Sequence, residues 1–434
     1  MASTLLLRQV NLLEGPEIPP RRADVLLEGN RLVSLDHGRE PSSSTTPPSS
    51  PEAIVEIEAS QFWLGPSLVD PHSVLEDPWL GRAETLSTLA NAARAGGYGT
   101  VALLPWGNSW RDQPERLDLR WPEPMRLLLW GAFSQGGEDQ ELAPHADQLA
   151  AGACGLAASA TLPPLALLER GLRLGEMGSH PVLIAPRDLS LTQQGFVRER
   201  VEALRGGWPV DPPLSELLPL QTLLSLADAL PEVSLRLMQI STQEAIVLLR
   251  RHGNPPLASV GWWHLLADSG SLDPTAEGWR MVPSLGGGAD REALIAALAD
   301  GTLTAVAVQH EALDAEEQLL PLDQRRPGLA GHGLVLPWLW RELVEDRHWS
   351  PARLWQVLCW GPCRFLALEP SRLRSDSRDW ILFDPLAATE FPSGQDPSLA
   401  ANRPELPASG LRGSVLASGL SDPQEWSLPV VRSH

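Results

Sequence analysis

The residue types and spacing best suited to chemistry lie in residues 68–78, where an apolar run ends at His72 with carboxylates on either side. The next segment, residues 82–98, carries apolar side chains at helical spacing and closes on Gly96-Gly97, which predicts a helix. Residues 100–105 are a second short apolar run. A strand, a loop with a histidine, a helix and a strand form the repeat of a parallel α/β fold, whose functional groups stand where strands end.

The composition excludes several classes of protein. With 43% hydrophobic residues, 20% charged residues and a mean hydropathy of −0.11, the 434-residue chain is typical of a soluble globular protein. A formal net charge of −20 argues against nucleic acid as a partner, because phosphate binding needs a clustered positive surface. No apolar run approaches the roughly 20 residues of a membrane span. No secretory signal is visible, so we expect a cytoplasmic protein with no membrane partner.

Reactive amines and thiols are scarce. All 34 basic residues are arginine, so neither a Schiff base nor a carbamylated-lysine metal bridge can form. The cysteines are Cys154, Cys359 and Cys363, and the last two form a Cys-x-x-x-Cys pair that could hold zinc or undergo redox chemistry. A helix that begins at Ser350-Pro351 and ends at Gly361-Pro362 accounts for this pair better, so we expect buried thiols.

Apolar runs alternate with helical segments through the middle of the chain. Strand-like runs occupy residues 126–133, 153–159, 180–186, 234–241, 255–262 and 303–310. This alternation predicts a (β/α)₈ barrel with its functional groups at the carboxyl ends of the strands. Further strand-like segments lie in residues 1–60, 378–385 and 412–420.

The segment around His72 resembles the dihydroorotases of the amidohydrolase superfamily. After their first barrel strand these enzymes carry Asp-x-His-x-His-Leu-Arg-Glu-Pro-Gly, then Glu-Thr and an Ala-rich helix closed by Gly-Gly-Phe. The residues that match without a gap are Asp70, His72, Leu75, Pro78, Glu84, Thr85, Ala92, Ala93, Gly96 and Gly97. The resemblance implies a TIM-type barrel at residues 63–369, a composite β-sandwich domain from residues 1–62 and 370–434, and a place in pyrimidine biosynthesis.

The match fails at the residues to which the resemblance assigns the chemistry. The family's metal-site positions fall on residues without an imidazole or carboxylate, namely Val74, Ser159, Ala185, Gln239 and Gln309. Its substrate-binding positions fall on Glu76, Trp106, Val282 and Leu313. A glutamate at position 76 would repel a substrate carboxylate. Zinc is the cofactor expected for the family, but one remaining histidine cannot hold it usefully, so we predict no metal and no cofactor here.

Two further histidines, His264 and His310, stand where the family also carries histidine. With His72 they could form a residual acid–base set, but no positioned electrophile is evident, so we favour hydrogen-bonded core histidines and expect no catalytic residue. Tryptophans recur in residues 79–84, 104–110, 261–266 and 336–343. They could line a ligand pocket, although core packing is the simpler interpretation.

Three functions remain open. We favour a zinc-free dihydroorotase-like pseudoenzyme that forms oligomers and acts as a structural partner of aspartate carbamoyltransferase, because inactive homologues in the resembled family have that role. A second hypothesis is a cyclic amide hydrolase with an altered or metal-independent site, using His72, His264 or His310 with Glu76 or Asp77. The third is a small-ligand binding module that uses a Trp-lined barrel mouth.

Overall fold

The strands of the protein coincide with the apolar runs of its sequence. The computed structural model describes residues 4–36, 54–107, 110–119, 124–273, 276, 278–389, 398–406 and 410–428. In chain order the strands within these residues are β1 (Thr4–Leu12), β2 (Arg21–Glu28), β3 (Arg31–Ser34), β4 (Val55–Glu58), β5 (Trp63–Gly65), β6 (Leu68–Ser73), β7 (Tyr98–Leu103), β8 (Arg126–Ala132), β9 (Gly155–Ala157), β10 (Val182–Ile184), β11 (Val197–Arg198), β12 (Val210–Asp211), β13 (Leu235–Leu237), β14 (Leu257–Gly261), β15 (Ala305–Ala307), β16 (Ile381–Ala388) and β17 (Arg412–Ser418).

Eight of the described strands form one parallel barrel, in the hydrogen-bonded order β15-β14-β13-β10-β9-β8-β7-β6. Backbone hydrogen bonds beyond the two end strands bring them together: Gln309 N donates to His72 O at 3.2 Å, and Val74 N donates to His310 O at 2.8 Å. Short strands such as β10 are buried on both faces, which is why they read as apolar runs without alternation. The predicted (β/α)₈ barrel is confirmed.

Helices follow most barrel strands. The described α-helices are α1 (Leu86–Ala95), α2 (His145–Ala150), α3 (Leu165–Leu174), α4 (Leu189–Thr192), α5 (Val201–Gly206), α6 (Leu214–Ala229), α7 (Gln243–Arg251), α8 (Gly288–Asp300), α9 (Ala315–Gln318), α10 (Val335–Leu339), α11 (Pro351–Trp355) and α12 (Gly361–Phe365). Short 3₁₀ helices span Pro114–Leu117, Gln135–Gly137, Trp262–Leu265 and Pro423–Glu425. In the described part of the chain, no helix combines the length and the apolar character that a membrane span requires.

The helix predicted near the first strand is confirmed as α1. Thr85 caps it by accepting a hydrogen bond from Thr88 N, and Thr88 bonds back to the backbone of Thr85. The helix ends at Gly96, and Gly97 takes a positive φ of 84°, a conformation that glycine adopts without strain. The predicted stop at Gly96-Gly97 is therefore correct.

The predicted stop at Gly361-Pro362 is wrong. Ser350 caps α11 as expected, but the helical path continues through a π-helix, Gln356–Trp360, into α12. Gly361 serves close packing instead, because a Cβ there would lie 2.0 Å from Thr304 O, just before β15. Cys359 and Cys363 are buried free thiols, whereas Cys154 is a half-buried free thiol.

Strands from the two ends of the chain form a second sheet. Among the described residues it has seven strands, ordered β17-β16-β5-β1-β2-β3 with β4 paired to β1, and its own apolar core includes Leu7, Val10 and Trp380. The terminal strands therefore combine as the resemblance implies. The limits of this domain at residues 62 and 370 stay a prediction, and β5 lies just beyond the first of them.

Candidate functional site

Strands β6 and β14 and the segment after β15 bring His72, Ser259 and Gln309 together inside the barrel. The His72 side chain is fully buried; its Nδ1 lies 2.6 Å from Gln309 Oε1 and its Nε2 lies 2.8 Å from Ser259 Oγ. Nδ1–H donates to the amide oxygen, and Nε2 accepts from the hydroxyl. Burial lowers the pKa of His72 below its ordinary value, so the ring is neutral at pH 7. The Nε2 lone pair, to which a metal ion or a proton would bind, already accepts a hydrogen bond from Ser259.

Two glutamines next to this histidine have strained backbone conformations. Gln239 follows β13 with φ of 52°, and Gln309 follows β15 with φ of 47°. Left-handed backbone costs a residue with a side chain about 1–2 kcal/mol, so the surrounding structure must stabilise both turns. Gln239 N donates to Ser259 Oγ at 3.0 Å, and Gln309 N donates to His72 O. Ser259 therefore connects Gln239 to His72.

Two buried histidine–carboxylate pairs lie beside the seam between β6 and β15. His332 Nε2 is 2.9 Å from Asp70 Oδ2, His310 Nε2 is 3.2 Å from Glu84 Oε2, and the two imidazole rings are 4.9 Å apart. Asp70 also accepts from Val308 N at 3.0 Å, which ties β6 to the end of β15. Burial would raise the pKa of Glu84, but hydrogen bonds from His310 and neighbouring hydroxyls outweigh it and hold that pKa below its ordinary value.

A small inner cavity of about 10 Å³ lies beside Gln239, near the size of one water molecule. Its walls include Ala185, Met238, Val282, Trp106 and Arg187. Arg187 follows β10, and its side chain forms part of this wall. Only 7% of the surface of Arg187 is exposed. Within the described structure, its Nε and Nη1 and the Nε2 of Gln239 have no hydrogen-bond partner. Burial lowers the pKa of Arg187 to about 10, so it is a cation at pH 7.

His264 lies apart from His72. Its Nε2 donates to Pro283 O at 3.0 Å, and burial lowers its pKa to about 4, so the ring is neutral at pH 7. It therefore acts as a donor that fixes the backbone around Pro283. His72, His264 and His310 each bond to different partners and form no shared acid–base set.

An outer cleft of about 570 Å³ covers the mouth of the barrel. The carboxylates that line it are Glu76, Asp77, Glu84, Glu311, Asp314 and Glu317, against two arginines, Arg82 and Arg326. Arg326 lies 3.0 Å from Glu76, so Glu76 does not present the bare charge that the sequence suggested. Burial, together with the charges of Glu76 and Glu317, raises the pKa of Glu311 to about 7 against the opposing effect of Arg326.

Comparison with known proteins places the chain in a family. No family model matches it. A probable dihydroorotase-like protein of Synechocystis is 32% identical over 453 residues, covering 94% of this chain and 98% of the relative. The chain belongs to the dihydroorotase family. A dihydroorotase of Thermus aquaticus is 28% identical over 409 residues, covering 90% and 92% of the two chains.

Solved structures support the fold of this dihydroorotase-family protein. The L-hydantoinase of Arthrobacter aurescens superposes with a TM-score of 0.75 at 17% identity, covering 96% of this chain and 94% of that one. A D-hydantoinase from a Thermus species gives a TM-score of 0.73 at 17% identity, covering 97% of both chains. At such identities the likeness concerns the amidohydrolase architecture alone.

The residues of this dihydroorotase-family protein do not fit the zinc that the resemblance implies. Val74 and Ala185 are buried and offer no donor atom, and the two nitrogens of His72 are engaged by Gln309 and Ser259. In the described part of the chain, no group of three or more histidine, cysteine, aspartate or glutamate residues could hold a metal ion. A zinc centre needs three or four such ligands around one point, and the residues at these positions do not supply that number.

The remaining predicted positions separate into two groups. Glu76 and Trp106 line the outer cleft, and Trp106 also borders the inner cavity with Val282. Ser159 and Leu313 belong to the scaffold: the Ser159 hydroxyl donates to Asp139 at 3.2 Å, and Leu313 N donates to Asn402 Oδ1 at 2.8 Å. Of the clustered tryptophans, Trp262, Trp263 and Trp340 are buried in the core, and Trp79 is exposed.

Sequence reasoning missed three residues that shape the site in this family member, Ser259, His332 and Arg187. Their partners are His72 for Ser259, Asp70 for His332 and the neighbouring Gln239 for Arg187. These partners lie 52 to 262 positions away in the sequence. His332 had a weak signal, since it stands between two glycines. Arg187 was visible only as an arginine at a strand end, where parallel α/β folds place functional groups.

Proposed function

We propose that this chain is a zinc-free dihydroorotase-like pseudoenzyme of pyrimidine biosynthesis that acts as a structural partner of aspartate carbamoyltransferase. The observation that carries the loss of hydrolysis is the state of His72, whose two ring nitrogens are bonded to Gln309 and Ser259. Metal-assisted hydrolysis requires an open ligand position and an activated water. A neutral, doubly bonded imidazole among apolar and amide groups supplies neither.

The volume near His72 supports the same proposal. Ligand pockets of enzymes usually measure about 300–1,000 Å³. The cavity between Gln239 and Arg187 measures about 10 Å³, too small for any ring. Among the described residues, the outer cleft of about 570 Å³ is large enough for a cyclic amide.

Support for a partner comes from the resemblance and from the surface. Apolar side chains stand exposed on the loops around the barrel mouth: Trp79 is 62% exposed, and Leu80 and Leu319 are each 85% exposed. An Arg82–Glu316 ion pair of 3.1 Å connects the two loops that carry them. Tryptophan is enriched among interface anchors. Aspartate carbamoyltransferase is the proposed partner because inactive members of the resembled family assemble with it.

Metal analysis and activity test the pseudoenzyme half of the proposal. Purified protein should contain well under one zinc per chain, and added zinc or manganese should bring no hydrolysis of dihydroorotate. Val74→His alone should leave the protein inactive, because catalytic groups act as a unit and Ala185 and Gln239 still lack ligand atoms. Stoichiometric zinc together with activity that a chelator abolishes would refute this half.

A second candidate function is a metal-independent cyclic amide hydrolase. The observation that favours it is Glu311 in the ring-sized outer cleft, because a carboxyl group with a pKa of about 7 can exchange a proton at neutral pH. Hydrolysis of dihydroorotate and hydantoin should be assayed from pH 5 to 9 in wild type and Glu311→Gln. Turnover that the substitution abolishes would favour this function over the pseudoenzyme.

A further inference from the structure

The inner cavity collects hydrogen-bond donors that the protein itself leaves unused. Arg187 Nε and Nη1 and Gln239 Nε2 have no partner among the described residues, and both side chains line the same space. Arg187 is 7% exposed and Gln239 is 4% exposed, so bulk water does not surround them. A buried donor without an acceptor destabilises the folded protein, and more so when it is charged. We infer that this cavity binds a small monoanion, either chloride or one carboxylate oxygen of a small acid.

The carboxylates closest to Arg187 are already committed to other groups. Asp211 lies 3.1 Å from Arg198 and accepts from Ser284 at 2.6 Å. Glu216 lies 2.7 Å from Arg198 and accepts from Ser241 N at 3.0 Å. Neither forms an ion pair with Arg187 in the described structure. Arg280 adds a further positive charge to its surroundings. Arg187, Arg198 and Arg280 together carry three positive charges against the two negative charges of Asp211 and Glu216, so one positive charge is left in excess, although Glu216 also lines the cavity.

The arginine is held in place by its backbone. Arg187 O accepts from Leu162 N at 2.7 Å and from the Thr161 hydroxyl at 2.8 Å, and Arg187 N donates to Ala185 O at 2.9 Å. Gln239, whose backbone has a positive φ of 52°, lines the same cavity. Such fixed donors favour binding because little ordering is needed when the ligand arrives.

The dimensions limit the part of the ligand inside the cavity to about one heavy atom, either a chloride ion or one oxygen of a carboxylate. A volume of about 10 Å³ is near that of a single small ion or water molecule. Trp106 borders both the inner cavity and the outer cleft, so the two spaces share it as a wall. The Trp106 Nε1 donates to Ala158 O at 2.9 Å, which fixes the ring at this boundary. Arg187 thus supplies a fixed positive charge beside positions at which the resembled family binds metal.

Anion-dependent stability of the full chain tests the inference. Thermal unfolding should be measured at constant ionic strength while sodium gluconate, whose anion is too large for the cavity, is exchanged for sodium chloride, formate or acetate. We expect a saturable rise in Tm with chloride or formate in wild type. The rise should vanish in Arg187→Met, and in Gln239→Leu its midpoint should move to about tenfold higher anion concentration.

Controls separate binding from a structural role of the arginine. Arg205→Met, on the exposed side of α5, should keep the full anion response. In gluconate, Arg187→Met should still fold, since Arg187 forms no ion pair among the described residues and Arg198 stays paired with Asp211 and Glu216. If that variant fails to fold, Arg187→Lys should fold and respond more weakly than wild type. A chloride response with no formate response identifies an inorganic ion, and the reverse identifies the carboxylate of a small acid.

Two results would overturn the inference. One is a wild-type Tm that rises equally with gluconate and with every smaller anion. The other is an undiminished response in Arg187→Met. Neither result bears on zinc content, hydrolysis or the carbamoyltransferase complex, so this inference and the proposed function fail independently.

Discussion

At the scale of single residues, the Ser259 hydroxyl joins three segments of the barrel mouth, and its removal should be costly. Ser259→Ala leaves His72 Nε2 and Gln239 N without partners in a buried place. We expect a loss of about 1–3 kcal/mol in the free energy of unfolding, measured by urea titration. Ser225→Ala is the matched control, because that exposed hydroxyl bonds only within α6; it should change stability by less than about 0.5 kcal/mol. Equal losses in the two variants would contradict the role of Ser259.

The buried neutral histidine His264 should make stability depend on pH. Its pKa falls from 6.5 in the unfolded chain to about 4 in the folded protein because of burial. The unfolded chain therefore binds the proton first on acidification, so the stabilisation is complete above pH 6.5 and is lost as the pH falls toward 4. Between pH 7.5 and 5 this residue alone should cost about 2 kcal/mol.

Urea unfolding of His264→Gln at pH 7.5, 6 and 5 measures that contribution. The glutamine can still donate to Pro283 O, and the variant's loss of stability on acidification should be about 2 kcal/mol smaller than that of wild type. His180→Gln is the control, since His180 is exposed and the substitution there removes no buried imidazole. A His264→Gln profile parallel to that of wild type would contradict the buried neutral state.

At the scale of secondary-structure elements, Gly361 shows why a glycine signal can mislead. A Cβ at this position would lie 2.0 Å from Thr304 O, so α12 packs against the start of β15 only because the side chain is absent. Gly361→Ala should lower the free energy of unfolding by about 1–3 kcal/mol, despite the better helix propensity of alanine. Gly253→Ala is the comparison, because nothing lies within 4 Å of the added methyl group. A neutral Gly361→Ala would mean that the helix can shift away from β15 without cost.

The barrel strands were predictable because a buried parallel strand is a short apolar run bounded by breakers, and this pattern is local. The continuation of the helix through Gly361 could not be predicted. This glycine is needed for close packing against Thr304, which lies far away in sequence. The candidate site likewise has one part that the sequence predicts and one part that it does not. Loss of the metal ligands could be predicted position by position, whereas Arg187 and Gln239 become neighbours only when β10 and β13 lie side by side.

At the scale of the whole molecule, the terminal sheet and the barrel are tied together. Trp355 Nε1 donates to Pro66 O at 3.0 Å, and Gly65 allows this ring to lie directly against β5. The connection supports the barrel from the side of β5. The exposed apolar side chains Trp79, Leu80 and Leu319 stand on the loops that border the outer cleft. That end of the molecule is therefore the surface on which the proposed assembly should be tested.

The Asp77 carboxylate fixes the loop that presents Trp79 and Leu80. Its Oδ1 accepts from Trp79 N and Leu80 N, each at 3.0 Å, so both side chains stand outward on an ordered turn. An ordered apolar pair loses little conformational entropy when a partner covers it. If this pair anchors aspartate carbamoyltransferase from the same organism, Trp79→Ser with Leu80→Ser should weaken the complex at least about tenfold while zinc content and fold stay unchanged.

Sedimentation velocity at micromolar concentration measures this assembly. Wild type should move with aspartate carbamoyltransferase, and the double variant should sediment separately from it. Leu165→Ser with Leu174→Ser removes two equally apolar side chains, each 53% exposed, from α3, and this control should still form the complex. Equal binding by both double variants would remove the loop after β6 from the interface. Separate sedimentation of wild type itself, with normal carbamoyltransferase assembly after deletion of the gene, would instead refute the partnership and favour the hydrolase or ligand-binding hypothesis.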